Sequence, residues 1–446
     1  MIRQKLHTFR YEDGSLERVQ CVTLDSFDTL EFSSPKSTKG AFEQLMELYR
    51  DFIIKKYAAI LGRVILFHLP ENLELPYDTK DAKYGEVYDP LALLTIYFHK
   101  DIRLRRGELQ FLSETTRQVY ERLTRSGALY EVNGKLPVLM FLPVSENCGF
   151  LSKETGNQLT VNSSFFVMDV LDSATVFDSV GTPVGLKVKN NEVLSPPLFE
   201  RPAFWIDDKL RSHISTFSLK EMKIRIDDNV FEDYKNARFY SRPAYRKTPK
   251  GGFDIIVSDN QIKAVKNGGN SVVPSSGYVI HLEHEITIQS REVTYEPLKN
   301  VRFALQVGNP AVIDSKPVHK FLARFYSLKK PWTPTYPPSL YPLNYMKDRA
   351  PRIILGTNAM EEPVLLWMEG AGKYGYVKGR DSAGASLSEA ASICTLLKLK
   401  NAIHLDGGGS AQILIDQKRS LQLSDRDPDT FKEKERAVPA ALIIRK

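Results

Sequence analysis

Apolar residues recur at two different periods along this chain, and the period changes near residue 135. Before that point, helical spacing marks two amphipathic segments, one from Phe42 to Ile53 and one from Leu112 to Leu123. After it, short runs rich in Val, Ile and Phe alternate with Gly, Pro, Asn and Asp, which is typical of strands. The predicted strands are Pro137 to Val144, Leu159 to Val167, Val184 to Val188, Phe253 to Val257, Tyr278 to Leu282 and Arg302 to Val307.

A further helix is predicted to begin near Ser386. Ser386 and Glu389 match the capping box, in which the two residues satisfy each other's backbone donors. Apolar residues then follow at spacings of three and four, so we expect Cys394 to be a buried filler and not a nucleophile. The period changes again after Leu397, and Ala402 to Leu405 is expected to form a buried strand.

Together these elements predict an α+β fold with a mixed β-sheet core flanked by helices. We expect residues 1–135 to form a helix-containing accessory region of unknown role, packed on the rest through the Phe42 to Ile53 face. Residues 136–446 are expected to form the main domain.

Composition restricts the class of protein and its partners. With 42% hydrophobic and 26% charged residues the chain is globular, and no apolar run approaches the ~20 residues of a membrane span. The 61 basic and 54 acidic residues leave a net charge of +7, but they form no basic run with interleaved aromatics, so we expect no nucleic-acid partner. No signal peptide is visible, and the three cysteines suit neither a disulfide framework nor a zinc site. We expect no cofactor and no metal, and the oligomeric state stays open.

The candidate chemistry lies directly after the strand that ends at Leu405. Asp406 is followed by Gly407, Gly408 and Gly409 and then by Ser410. Consecutive glycines are typical of positive φ or of close approach by a ligand, and their amides can bind an anion. An alternative is a tight turn between two strands. A nucleotide-binding P-loop is excluded, because no Gly-Lys-Ser/Thr follows and the next run is strand-like.

Three segments near the C-terminus resemble the phosphodiester glycosidase family. They are Gly384 to Ala391 (GASLSEAA), Ala402 to Ser410 (AIHLDGGGS) and Arg436 to Ile443 (RAVPAALI). Further segments fit in order, so that the resemblance covers roughly residues 136–446: VNSSFF from Val161, GTPVGL from Gly181, RPA from Arg201, GFDIIV from Gly252, PSSGYV from Pro274, ALQVG from Ala304 and RIILG from Arg352.

The resemblance implies hydrolysis of the glycosidic bond of a sugar-1-phosphodiester, which releases free sugar and a phosphomonoester. It implies a sugar-phosphate or glycan substrate and favours an extracytoplasmic location. Asp406 would be the catalytic carboxylate, because fixed negative charge stabilises an oxocarbenium-like centre. The residues expected to bind substrate are Asn162, Arg352, His404, Gly407, Gly408, Gly409, Ser410 and Arg436.

Other interpretations remain open. Arg352 and Arg436 would grip phosphate, or they would pair with a carboxylate for structural reasons. Ser163 and Ser164 stand where the family commonly has two glycines, and His404 where it has Asn. The departure at Ser163 and Ser164 leaves a glycan- or sugar-phosphate-binding module without turnover as an alternative function. A hydrolase that releases inorganic phosphate from another phosphorylated ligand is a third.

Overall fold

The structure is a computed structural model. It describes residues 1–36, 148–167, 175, 178, 181–198, 200–242, 244–319, 348–370, 376–427 and 430–446, together with the backbone of five strands between residues 63 and 142. The two amphipathic segments predicted before residue 135 lie outside the described residues.

The described elements are twenty-nine strands, one α-helix and four 3-10 helices of three residues each. The first eleven strands are β1 (Ile2–Arg10), β2 (Leu16–Leu24), β3 (Glu31–Ser33), β4 (Arg63–His68), β5 (Ile102–Arg105), β6 (Glu108–Phe111), β7 (Leu129–Val132), β8 (Pro137–Leu142), β9 (Asn157–Asn162), β10 (Lys187–Lys189) and β11 (Glu192–Ser195). Then come β12 (Arg201–Ile206), β13 (Ser212–Phe217), β14 (Lys223–Ile226), β15 (Asn229–Glu232), β16 (Arg238–Ser241), β17 (Lys250–Ser258), β18 (Gln261–Gly269), β19 (Gly277–Leu282), β20 (Thr294–Tyr295), β21 (Phe303–Leu305), β22 (Pro310–Ile313) and β23 (Lys316–Pro317). The last elements are β24 (Arg352–Asn358), β25 (Pro363–Met368), α1 (Leu387–Leu396), β26 (Leu399–His404), β27 (Ile413–Ile415), β28 (Lys418–Arg419) and β29 (Ala441–Arg445).

Twenty-four of the strands form five antiparallel sheets. A seven-stranded sheet has the order β1-β2-β25-β24-β26-β22-β23, and a five-stranded sheet has the order β28-β27-β9-β29-β3. The other three have the orders β11-β10-β21-β12-β13, β16-β19-β17-β18 and β15-β14-β20. Between residues 63 and 142, β4 pairs with β7 and, in parallel, with β8, while β5 and β6 form a hairpin.

The predicted α+β fold with flanking helices is wrong. Strands make up 48% of the structure and helical residues 8%, and α1 is the one α-helix in the part that the structure describes. The reason is that the sheets cover each other's apolar faces: Phe204, Ile255, Ile403 and Leu442, from four different sheets, belong to one buried cluster. Most sheet faces therefore need no helix to bury them.

The capping-box prediction is confirmed. The backbone N–H of Ser386 donates to Glu389 Oε2 at 2.9 Å, and the backbone N–H of Glu389 donates to Ser386 Oγ at 3.3 Å. The apolar face of α1 packs on β22 and β26 and covers one face of the seven-stranded sheet. Cys394 is fully buried in this contact, and burial raises the pKa of its thiol, as expected for an inert filler.

The first 33 residues contribute strands to both sheets that carry the candidate site. β2 pairs with β25 in the seven-stranded sheet, and β3 pairs with β29 in the five-stranded sheet. The division of the chain at residue 135 stays a prediction. Within the described ranges, no helix has the length and apolar character that crossing a membrane would require.

Candidate active site

The predicted strand that delivers the aspartate is present as β26, and the chain then passes from one sheet to the other. Beyond His404 the backbone N–H of Asp406 donates to the carbonyl of Ser163, just after β9, at 2.9 Å. Asn162 reinforces this junction: its Nδ2 donates to the Asp406 carbonyl at 2.7 Å, and its Oδ1 accepts from the Gln412 backbone N–H at 2.9 Å. The Asn162 side chain therefore positions the glycine loop, and its contact with substrate stays a prediction.

The first two glycines of the loop are required for different physical reasons. A Cβ on Gly407 would lie 2.7 Å from the carbonyl oxygen of Pro351, immediately before β24. That carbonyl also accepts the Gly408 N–H at 2.9 Å, so the loop is held against β24. Gly408 has open space around it, but its φ of +58° lies in the left-handed region.

The third glycine gives room to an ion pair. A Cβ on Gly409 would lie 2.3 Å from Arg436 Nη2 and from both carboxylate oxygens of Asp425. Arg436 binds that carboxylate through Nε and Nη2, each 2.9 Å from Asp425 Oδ2. The pairing of Arg436 with a carboxylate, one of the two interpretations from sequence, is thus present, and it places a guanidinium beside the loop.

Replacing each of the first two glycines with asparagine should distinguish the steric requirement at Gly407 from the φ requirement at Gly408. We expect the unfolding free energy of Gly408→Asn to lie within about 1 kcal/mol of the wild-type value, because asparagine tolerates left-handed φ and the site is open. Gly407→Asn should lose about 1–3 kcal/mol, because its Cβ meets backbone that cannot move without breaking the ladder. Urea unfolding of both variants measures this difference. Equal losses would show that neither steric contact nor φ explains the glycine run.

The Asp406 carboxylate is held in a buried, electrostatically tuned environment. Its residue is 7% exposed, and burial raises its pKa to about 7. The Ser410 hydroxyl, the positive charge of Arg436 and the Gly407 amide each lower that pKa and offset part of the rise. Ser410 lies near the carboxylate without a well-formed hydrogen bond, since its Oγ has no partner. An acid with a pKa near neutrality can change its ionisation during a reaction cycle.

Several residues at the junction that holds the glycine loop have buried polar atoms without partners. Buried polar groups in folded proteins nearly always have hydrogen-bond partners, and a cluster of exceptions indicates a place for a ligand or water. Within the described residues, the side-chain atoms near the loop that have no partner are Ser163 Oγ, Ser164 Oγ, Asn309 Nδ2, both ring nitrogens of His404, Asp406 Oδ2, Ser410 Oγ and Gln412 Nε2.

His404 and Arg352 stand next to each other at the start of this cluster. His404 is fully buried, and both burial and the charge of Arg352 hold the pKa of its imidazole well below the usual value. The ring is therefore neutral and offers one donor and one acceptor. Arg352 donates from Nε to the carbonyl of Ala385 at 2.8 Å and from Nη2 to that of Asp348 at 3.0 Å.

The structure places the predicted residues at one junction, where β9 and β26 end and β24, β27 and β29 begin. Sequence reasoning missed Asn309, whose carbonyl accepts the His404 N–H at 2.9 Å, and Asp425, because both lie in loops without a motif. A cavity of about 260 Å³ lies elsewhere, and none of the predicted residues lines it. Among the described residues, no group of three His, Cys, Asp or Glu side chains could hold a metal ion.

The class of protein follows from comparison with known families. A sequence model of the phosphodiester glycosidase family matches residues 220–445. This range is just over half of the chain and includes the glycine loop. The chain therefore belongs to the phosphodiester glycosidase family. No curated protein sequence matches it.

Three solved structures align with the whole chain. One is a hypothetical protein from Synechocystis, with 13% identity and a TM-score of 0.41, of which this chain spans 62%. Another is a putative exported protein from Burkholderia pseudomallei, with 13% identity, 97% coverage of that protein and a TM-score of 0.38. The third is the catalytic domain of zebrafish N-acetylglucosamine-1-phosphodiester alpha-N-acetylglucosaminidase, auto-inhibited by its pro-peptide, with 9% identity, 83% coverage and a TM-score of 0.40.

Proposed function

We propose that this protein hydrolyses the glycosidic bond of a sugar-1-phosphodiester and releases free sugar and a phosphomonoester. The observation that carries the proposal is the buried Asp406 Oδ2, which has no hydrogen-bond partner and stands at a junction whose residues contain other unpaired polar atoms. Membership of the phosphodiester glycosidase family supports the reaction class.

The proposed reaction breaks the bond between the anomeric carbon and the phosphate oxygen. The bonding electrons pass to that oxygen, and the phosphomonoester leaves as an anion, so protonation of the leaving group is less important than in ordinary glycoside hydrolysis. The carboxylate of Asp406 stabilises the positive charge that develops at the anomeric carbon. A water molecule supplies the new hydroxyl of the sugar, and its second proton passes to the solvent or to the phosphomonoester.

Neighbouring groups would hold the two halves of the substrate. The guanidinium of Arg436 lies beside Gly409, and Arg352 lies on the strand against which Gly407 packs, so both are candidates to bind phosphate. The amides of Gly407, Gly408 and Gly409 and the Ser410 hydroxyl are further donors. His404, neutral and unpaired, is proposed to bind a sugar hydroxyl.

Product analysis tests the proposal directly. The first substrates are diesters of N-acetylglucosamine 1-phosphate, the sugar in the name of the zebrafish enzyme. A phosphodiester glycosidase releases free N-acetylglucosamine and a phosphomonoester, both detectable by chromatography. Release of N-acetylglucosamine 1-phosphate would instead show cleavage on the other side of phosphorus, and inorganic phosphate released from a phosphomonoester while the diester stays intact would show the third alternative. Either result would contradict the proposal.

A binding module without turnover is the second candidate, and one observation favours it. Ser163 and Ser164 are both buried with unpaired hydroxyls beside the Asp406 backbone, where the family resemblance leads us to expect glycines. Calorimetric binding of the same diesters with no product after prolonged incubation would identify this function.

The pH dependence of turnover should report the ionisation of Asp406. If the carboxylate stabilises positive charge, the active form is the ionised one, and kcat/KM should rise with pH to a plateau with a midpoint near the pKa of about 7. Initial rates between pH 5 and pH 9 on one diester measure this profile. A rate that falls as the pH rises through about 7 would instead make Asp406 a proton donor.

The location of the protein is a separate expectation. We propose an extracytoplasmic location on the basis of the family resemblance, and fractionation of the native cells with detection by antibody tests it. Recovery in the cytoplasmic fraction alone would contradict it.

A further inference from the structure

The cavity away from the candidate active site has mainly polar walls. Its volume is about 260 Å³, and it lies where β3, the hairpin of β10 and β11, and the turn between β17 and β18 meet. Its polar lining includes Ser33, Lys187, Ser195, Ser258, Asp259 and Ser276. Small-molecule sites are concave, and convergent polar groups fix the orientation of a ligand in them.

The lysine in this cavity differs from its neighbour on the same strand. Lys189 donates from Nζ to three backbone carbonyls, those of Phe27 at 3.3 Å, Asp28 at 3.0 Å and Leu30 at 2.5 Å. Lys187 lies on the same face of β10, two residues earlier, and its Nζ makes no hydrogen bond or ion pair within the described part of the chain. The protein thus satisfies the ammonium group of Lys189 and leaves that of Lys187, a residue of the cavity wall, without a protein partner among the described residues.

The electrostatics of the cavity favour a ligand that combines negative charge with hydroxyl groups. Burial lowers the pKa of Lys187 to about 8, and the negative charge of Asp259 offsets part of this change. An anion beside the ammonium would restore the favourable environment that burial removes. The carboxylate of Asp259 makes no hydrogen bond within the described residues and can accept from hydroxyl groups.

We propose that this cavity is a second ligand site, which binds a small polyhydroxylated anion, either a sugar acid or a sugar phosphate. The anionic group would bind the Lys187 ammonium. The sugar hydroxyls would bind Asp259 and Ser33. Ser33 pairs with Ala441, which pairs with Asn162, so the cavity wall lies two strands, roughly 10 Å, from the residue that positions the Asp406 loop. Binding here does not depend on turnover at Asp406.

Isothermal titration of the full chain at pH 7 with sodium glucuronate, glucose 6-phosphate and glucose tests the proposal. At least one of the two charged sugars should bind, and glucose should bind about tenfold or more weakly, because a charge-assisted hydrogen bond is lost. A response to glucuronate alone identifies the sugar-acid source, and a response to glucose 6-phosphate alone identifies the sugar-phosphate source. Lys187→Met should reduce the affinity for the charged sugar to the level of glucose.

Two controls make the result decisive. Arg436→Lys should leave the affinity for the charged sugar unchanged, whereas binding at the Asp406 site would weaken when the bidentate guanidinium is lost. Lys187→Met should melt at or above the wild-type temperature, because its ammonium makes no bond that the fold would lose. The proposal is overturned if neither charged sugar binds, if Lys187→Met binds as tightly as the wild type, or if Arg436→Lys abolishes binding.

Discussion

Asp406→Asn is expected to fold normally, to retain binding of a sugar-1-phosphodiester and to lose at least ~100-fold in turnover. Asparagine keeps the volume of the side chain but removes the negative charge that would face the anomeric carbon. The backbone contacts of this residue, to Ser163 and from Asn162, do not involve the carboxylate and should persist. Free reducing sugar released from an N-acetylglucosamine 1-phosphate diester measures turnover.

Stability provides the control for this variant. The folded-state pKa of about 7 is above the unfolded value of 3.8, so the folded protein holds this proton more tightly. The stability contribution of Asp406 is therefore fully present below about pH 4 and is lost as the pH rises through about 7. At pH 8 the asparagine variant should melt no lower than the wild type.

A matched aspartate shows whether the effect is local. Asp416 is exposed in the turn after β27 and forms an ion pair with Lys446 at 3.2 Å. Asp416→Asn should leave turnover unchanged, since surface ion pairs contribute little. Full activity in Asp406→Asn would make Asp406 a turn former, a role that asparagine fills almost as well.

Trp367→Ala is expected to cost about 3–5 kcal/mol of unfolding free energy. Trp367 is completely buried on β25, between β2 and β24, in the cluster shared by four sheets. Alanine would leave a cavity that neighbouring strands cannot close without breaking their ladders. Urea unfolding monitored by circular dichroism measures the loss.

Trp205 is the matched control for Trp367. It is only partly buried, stacks on His213 with ring centroids 4.3 Å apart, and donates from Nε1 to Ser215 Oγ at 2.7 Å. Trp205→Ala should cost about 1 kcal/mol, because water can replace these contacts. Equal losses at the two positions would mean that the sheets do not form one continuous core.

Local signals in the sequence were sufficient for some elements. The capping box at Ser386 and Glu389 involves residues three apart, and the strand before Asp406 follows from a short apolar run, so both were predicted correctly. The glycine run was also recognised as a candidate site from the sequence pattern alone. Its three separate causes were not, since they depend on Pro351, on φ at Gly408 and on the ion pair of Arg436.

The fold class could not be predicted because it depends on pairings between distant parts of the chain. Nothing near Gln20 indicates that its strand will pair at Trp367, and nothing near Phe32 indicates a partner at Leu442. The fold-class prediction therefore followed the helical spacing in the first third of the sequence, because the pairing partners of the strands lie far away along the chain. Asp425 was missed for the same reason, since its partner Arg436 and the loop that they contact meet only in the folded chain.

The position of β29 has a consequence for biosynthesis. Ala441–Arg445 form an interior strand, paired on one side with β9 and on the other with β3. A nascent chain that has not yet released these residues from the ribosome lacks the strand that joins Asn162 to the first part of the sequence. Pairing between such distant segments is slow, so the junction around Asp406 should be among the last regions to become protected from hydrogen exchange during refolding. Any activity of this site would then begin only after synthesis has passed residue 445.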